Sequence, residues 1–297
     1  MNQKMLFIYN PRAGKAQIRS NLLDIIDIFV KAGYEVTAYP TQAAGDAIKA
    51  VKERHAGFDI VACSGGDGTL DEVVSGMMQC DEKLPIGYVP AGSTNDFASS
   101  LKIPKSMIKA ADAVVNGKNF ACDIGKFNND NFIYVAAFGI FTDVSYETNQ
   151  DIKNVLGHTA YLLEGVRRLP AVRSYALRIS YDNEIIEGDF IYGMVTNSYS
   201  VGGFKGITGK EVLLDDGLFE VTLIRKPSNP VDLNNIIRAL VDKRAKSEHI
   251  YTFKTSSLTV ESEEAVSWSL DGEFGGEHMK AVIENQQKVL QIRIPNE

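Results

Sequence analysis

The sequence predicts an α/β domain built on a parallel sheet, joined to an all-β domain of antiparallel strands. Two observations carry that class. Up to about residue 125, strand-like apolar runs alternate with helix-period segments, an order that gives a parallel sheet with helices on both faces. From Gly125 onward the chain turns into short β-rich runs set apart by turn residues, the texture of an antiparallel sandwich or barrel. The length, 297 residues, also exceeds what one core usually fills, and the expected division is 1–125 and 126–297.

Met5–Tyr9 opens the first domain as a strand. Ile18, Leu22, Ile25, Ile26, Phe29 and Val30 then recur at helical spacing, and Gly33 is placed to stop that helix. Tyr34–Tyr39 reads as a strand, Asp46–His55 as a helix, Phe58–Cys63 as a buried strand and Ile86–Val89 as a short one. Between the last two, Leu70, Val73, Val74, Met77 and Met78 share one face of a helix. Pro104–Asn116 reads as a helix with proline in its favoured first turn, and Phe120–Ile124 as a strand.

In the second domain the expected strands are Phe132–Phe138, Tyr175–Tyr181, Phe190–Thr196, Phe219–Arg225, Ile250–Lys254, Leu258–Glu261 and Val289–Ile294. Asp182-Asn183 reads as a hairpin-like turn. Helical inserts are expected at Thr159–Leu169 and Leu233–Asp242.

A formal charge of −7 and a pI near 5.3 argue against a general nucleic-acid binder, which carries a basic face, and against purely electrostatic adhesion to an anionic membrane. Cys63, Cys80 and Cys122 are too few and too scattered for a disulfide framework or a zinc site, and no signal-peptide layout precedes the first strand, which fits a reducing cytoplasm. No apolar stretch approaches the ~20 residues of a membrane span, so a lipid substrate would be reached from the surface.

Chemistry concentrates in loops after strands. Gly65-Gly66-Asp67-Gly68-Thr69 lies between the buried strand and the helix that follows it. Its glycines let backbone N–H groups approach an anion, the helix adds the positive end of its dipole, and Asp67 is placed to hold a metal near the phosphates. Asn10-Pro11-Arg12-Ala13-Gly14-Lys15 follows the first strand, at the sheet end where ligands of open α/β sheets collect. It is not a Walker A loop, since Ala16 follows Lys15. Pro90–Phe97 offers Gly92 for close approach, the hydroxyls of Ser93 and Thr94, and either Asn95 or Asp96 as a helix cap. Asp67, Asp96 and Asp123, at three strand ends, together suit Mg²⁺ bound directly or through its waters.

In the second half, Asp215-Asp216-Gly217-Leu218 reads as a turn or a second cation site, and Asp271-Gly272-Glu273 as a loop whose carboxylate could take the proton of an attacking hydroxyl. Gly202-Gly203-Phe204 reads as a mobile loop that touches acyl chains or turns a corner. Arg167, Arg168, Arg173 and Arg178 form a solvated face or a headgroup patch, and His55, His158, His249 and His278 show no ligand spacing.

Asn10–Lys15, Gly65–Thr69, Pro90–Phe97, Asp123–Gly125, Asp216–Leu218 and Asp271–Glu273, in this order and at these separations, resemble the soluble diacylglycerol kinase family of lipid kinases. The glycine word alone is shared with NAD kinases; the 90–97 and 271–273 words narrow the match. The resemblance implies a Rossmann-like nucleotide-binding domain joined to a β-sandwich, with ATP and lipid meeting in the cleft between them. By motif position it implies nucleotide contacts from Asn10, Pro11, Arg12, Ala13, Gly14, Thr41, Gly65, Gly66, Asp67, Gly68, Thr69, Leu70, Asp71 and Ser93. It further implies a Mg²⁺ network of Asp67, Asp96 and Asp123, and a structural cation on Asp216 with the carbonyls of Leu213 and Leu218. Asp271 and Glu273 become the catalytic pair, one of them the base.

Ser93 stands where the family often has threonine. Asp71 stands where asparagine is frequent, which adds negative charge near the phosphates. The expected activity is transfer of the γ-phosphate of ATP to the hydroxyl of a lipid, diacylglycerol first, in the cytoplasm with peripheral membrane contact; a homodimer stays open. The other readings are a small-molecule kinase of the NAD kinase type and a non-catalytic nucleotide-binding protein.

Overall fold

The computed structural model describes residues 3–14, 16–92, 94–140, 173–201, 204–205, 212–241 and 245–296. The first half alternates as β1 (Gln3–Tyr9), α1 (Ile18–Lys31), β2 (Tyr34–Pro40), α2 (Asp46–Arg54), β3 (Ile60–Gly65), α3 (Asp67–Met78) and β4 (Ile86–Pro90). These strands lie parallel in the order β2-β1-β3-β4. β3 and β4 are buried along their whole length, as strands covered on both faces must be, whereas β2 at the edge is mostly open. α1 ends at Lys31, and Gly33 adopts φ +92 while its N–H returns to the carbonyl of Val30, a left-handed helix stop.

Two short helices, α4 (Asp96–Ser100) and α5 (Met107–Asn116), lead to β5 (Lys118–Phe127). Pro104 is not in the first turn of α5. The chain bends at Lys102, which has φ 57, and the helix begins only after the extended Ser106.

The second half is antiparallel: β6 (Asp130–Phe132), β7 (Val135–Gly139), β8 (Tyr175–Tyr181), β9 (Glu184–Thr196), β10 (Ser200–Val201), β11 (Phe204–Lys205), β12 (Phe219–Arg225), β13 (Ile250–Thr255), β14 (Ser257–Leu270) and β15 (Glu273–Ile294), with α6 (Pro230–Val241) between β12 and β13. The expected single strand Phe132–Phe138 is broken at Ile133-Tyr134, whose N–H groups leave the ladder for a carboxylate described below. β14 and β15 are far longer than their apolar cores suggested. Their polar stretches still pair, Glu261 with Lys280 for example, across two bulges. The expected helix at 159–169, the 202–203 glycines and Arg167 and Arg168 lie outside the described residues. Arg173 and Arg178 make surface ion pairs with Glu264 and Glu187.

β15 joins the two halves. Its first part pairs with β14, its last part runs beside β5, and Ile292 pairs in parallel with Ile86 of β4. Among the described residues one sheet of 13 strands results. Two apolar cores flank it. One packs α1, α2, α3 and α5 on the parallel strands; the other gathers Phe127, Phe138 and Trp268, with both phenyl rings 4.9 Å from the indole. This layout carries the β14–β15 hairpin to the C-terminal ends of the parallel strands.

Candidate active site

Three strand-end loops lie against one another. Asn10 donates its N–H to the carbonyl of Ser64, and Ala91 to that of Gly65, at 2.9 and 2.7 Å. The approach is close enough to exclude side chains at two positions. A Cβ on Gly14, which has φ +55, would stand 2.2 Å from the Ala91 carbonyl oxygen; one on Gly92 would stand 2.7 Å from Gly66 Cα. The Asn10 side chain accepts the N–H of Arg12 at 2.9 Å, folding its loop into an Asx turn.

Beside these loops lies a cavity of about 620 Å³. Of the expected nucleotide residues, Asn10, Arg12, Ala13, Gly14, Thr41, Gly66, Gly68, Thr69 and Asp71 line it. Leu70 does not: it is buried in the core. Pro11, Gly65 and Asp67 are not on its wall, and Gly65 instead offers its carbonyl to Ala91 and to the Tyr88 hydroxyl. Ser93 lies outside the described residues. α3 begins here, with Gly66 extended before it, so its first N–H groups and dipole end sit at the cavity.

Sequence reasoning missed Glu72. Its carboxylate accepts the N–H groups of Gly45 and Ala47 at 2.8 and 3.0 Å, capping α2 from α3 and fixing the Thr41–Gly45 loop on the cavity wall. Nothing local marks it, because capping by a residue 25 or more positions away leaves no short-range pattern.

The N-cap residue of α4, Asn95, does not cap it with its side chain. Asn95, at φ 52, bonds back to Gly92, accepting its N–H at 3.0 Å and donating to its carbonyl at 2.7 Å. Asp67 takes the cap role, its carboxylate accepting the backbone N–H groups of Asp96 and Asn95. Burial first, and the neighbouring Asp96 charge second, push Asp67 up to about 6. Its Oδ1 is buried without a hydrogen-bond partner.

Asp123 is engaged elsewhere. It is fully buried, and its two oxygens accept the N–H groups of Gly217 and Lys288 at 2.7 and 2.8 Å. It therefore clamps the 214–217 loop and a bend of β15 onto β5. Among the described residues no three acidic, histidine or cysteine side chains converge where they could hold a metal directly.

Asp271 and Gly272 form the tip of the β14–β15 hairpin, both at positive φ (50° and 89°), the backbone of a two-residue turn. The Asp271 carboxylate is buried and accepts three backbone N–H groups, from Ile133 at 2.5, Tyr134 at 3.0 and Val135 at 2.9 Å. The first two of these groups lie at the break between β6 and β7. Asp71 of α3 adds a fourth bond, from carboxyl to carboxylate. Burial, and then the Asp271 charge, hold Asp71 well above the usual range, while three N–H donors favour charge on Asp271, so the shared proton resides on Asp71. The extra negative charge expected of Asp71 is absent for this reason. Glu273, next along the hairpin, lines the cavity opposite Gly68.

A family model described as the diacylglycerol kinase catalytic domain matches residues 4–127, and one described as the YegS C-terminal NAD kinase beta sandwich-like domain matches residues 135–292. The chain is 36% identical over 271 residues to a diacylglycerol kinase of Bacillus subtilis (strain 168), covering 91% of this chain and 89% of that one. It is 34% identical over 299 residues to a diacylglycerol kinase of Staphylococcus aureus (strain MRSA252), covering 100% and 94%. A crystal structure of a diacylglycerol kinase from Bacillus anthracis str. Sterne superposes with a TM-score of 0.77 over 98% of this chain and 97% of that one, at 22% identity. The matches cover both halves of the chain, residues 4–127 and 135–292, and the chain belongs to the diacylglycerol kinase family of ATP-dependent lipid kinases.

Proposed function

We propose that this chain transfers the γ-phosphoryl group of ATP to the free hydroxyl of diacylglycerol, with Mg²⁺ at Asp67 and Glu273 as the base. The observation that carries the reading is the position of Glu273: a carboxylate from the antiparallel half stands in the wall of a cavity whose other wall is the N-terminus of α3. Phosphates bind there through the N–H groups and dipole of α3, with Arg12 on the same wall. Mg²⁺ fits Asp67, whose buried Oδ1 has no partner, and when bound supplies charge neutralisation for the phosphates.

Asp271 accepts four hydrogen bonds, about the number of lone-pair sites a carboxylate has, and so holds the hairpin in place. Glu273 accepts the hydroxyl proton late in transfer, a smaller contribution than positioning and charge stabilisation.

Lipid reaches the site from a membrane surface on the cytoplasmic side, where ATP is. Phe274, next to Glu273, and Met279 are 74% and 56% exposed, and apolar contact suits a chain of charge −7 better than electrostatic adhesion. No helix among the described residues is long and apolar enough to cross a membrane. The test is phosphate transfer from radiolabelled ATP to vesicles containing dioleoylglycerol, with NAD as the competing acceptor. Transfer to NAD alone, or undiminished lipid transfer by Glu273→Gln, rejects the reading.

A further inference from the structure

The Asp216 loop is where the resemblance expects a structural cation, and the residues found there do not fit one. Asp216 Oδ1 already accepts the N–H of Leu218 at 3.0 Å. Asp216 Oδ2 stands 3.7 Å from the ammonium of Lys254. The same ammonium lies 3.0 Å from Glu220, directly across the β12–β13 ladder. Both Asp123 oxygens are held by Gly217 and Lys288, and Asp215 faces the Lys288 ammonium at 3.6 Å. A divalent ion needs six or more oxygens, and the Asp216 and Asp123 carboxylates are each already turned to N–H groups or an ammonium.

We infer that Lys254 supplies the positive charge of this loop, so that the Asp216 turn is built without a metal ion. Glu220 is 7% exposed at its side chain and cannot draw its neutralisation from water. Lys254 answers two carboxylates at once, one inside the β12 strand and one in the preceding loop, and so ties that loop to the sheet. A lysine can do this because its ammonium is a compact point charge with three donors. A divalent ion sharing Asp216 would sit within a few ångströms of that ammonium and be repelled by it.

The experiment follows thermal unfolding of the full, nucleotide-free chain in EDTA, and in 10 mM CaCl₂ or MgCl₂ at matched ionic strength. Wild type and Asp216→Asn are expected to respond equally to either cation. Lys254→Met, which leaves two carboxylates facing each other, is expected to lower the midpoint in EDTA by roughly 5–10 °C, and Lys254→Arg by much less. Added CaCl₂ should recover part of the Lys254→Met loss through the freed carboxylates, and Asp216→Asn should remove that recovery. A rise with CaCl₂ or MgCl₂ in wild type that Asp216→Asn abolishes overturns the inference. Should Lys254→Met fail to fold, the comparison of wild type with Asp216→Asn decides alone.

Discussion

Asp71 of α3 and Asp271 of the β14–β15 hairpin share one proton across the junction of the two halves of the molecule. One carboxyl belongs to the helix that faces the cavity with its N-terminus, the other to the turn that presents Glu273. The bond therefore sets the distance between the nucleotide wall and the proposed base.

Asp71→Asn keeps a donor toward Asp271 and removes the titration. The sign follows from the direction of the shift. Asp71 is raised in the fold, so stability is highest below the unfolded carboxyl range, near pH 4, and is lost as pH rises toward the folded value. Asp67 and Asp271, both raised to about 6, add losses between about pH 4 and 6. Melting midpoints measured from pH 4.5 to 8.5 should fall less steeply in Asp71→Asn than in wild type. Parallel curves would remove the shared proton from the account.

Asp67→Asn should separate stability from activity. The charged form of Asp67 is disfavoured by burial and by Asp96, so the amide should raise the melting midpoint at pH 8. The same change removes the proposed Mg²⁺ ligand, and kcat should drop by roughly 10²–10³. A variant that is both fully active and unshifted in midpoint would show that Asp67 neither holds the ion nor carries an unfavourable charge.

Gly14→Ala tests the packing of the three loops. Its Cβ meets the Ala91 carbonyl and its φ of +55 penalises any side chain, so the Asn10–Gly14 loop must shift off the cavity. Overpacking and left-handed strain of ~1–3 kcal/mol correspond to a rise in the KM for ATP of roughly 5- to 150-fold. The KM for lipid should move little. Equal rises in both would point to general loosening.

The alternation of strands and helices, the glycine turn and a turn at Asp271-Gly272 were legible because each rests on contacts within a few residues. Gly33 stops α1 by its own backbone, and an Asp-Gly pair at positive φ is a local preference. What the sequence hid was long-range. Asn95 looked like a cap and closes its own loop, because the cap came from Asp67 on another element. Asp123 looked like a metal ligand at a strand end; its partners Gly217 and Lys288 lie 94 and 165 residues away. The return of β15 to β4 is equally invisible, since parallel pairing of Ile292 with Ile86 leaves no mark in either segment.

Asp271→Asn and Glu273→Gln should fail in different ways. An amide at 271 replaces one acceptor oxygen by a donor, so at least one of the N–H groups of Ile133, Tyr134 and Val135 loses its partner in a buried site. An unsatisfied buried donor costs about 1–3 kcal/mol, enough to lower the melting midpoint by several degrees and loosen the hairpin. Activity then falls with stability, and KM for both substrates rises. Glu273→Gln leaves the hairpin bonded as before and removes only a proton acceptor on the cavity wall. Its midpoint should stay within about 1–2 °C of wild type while kcat falls by roughly 10²–10⁴ at unchanged KM for ATP. If instead Asp271→Asn unfolds normally and loses kcat alone while Glu273→Gln stays active, the base is Asp271 and the roles exchange.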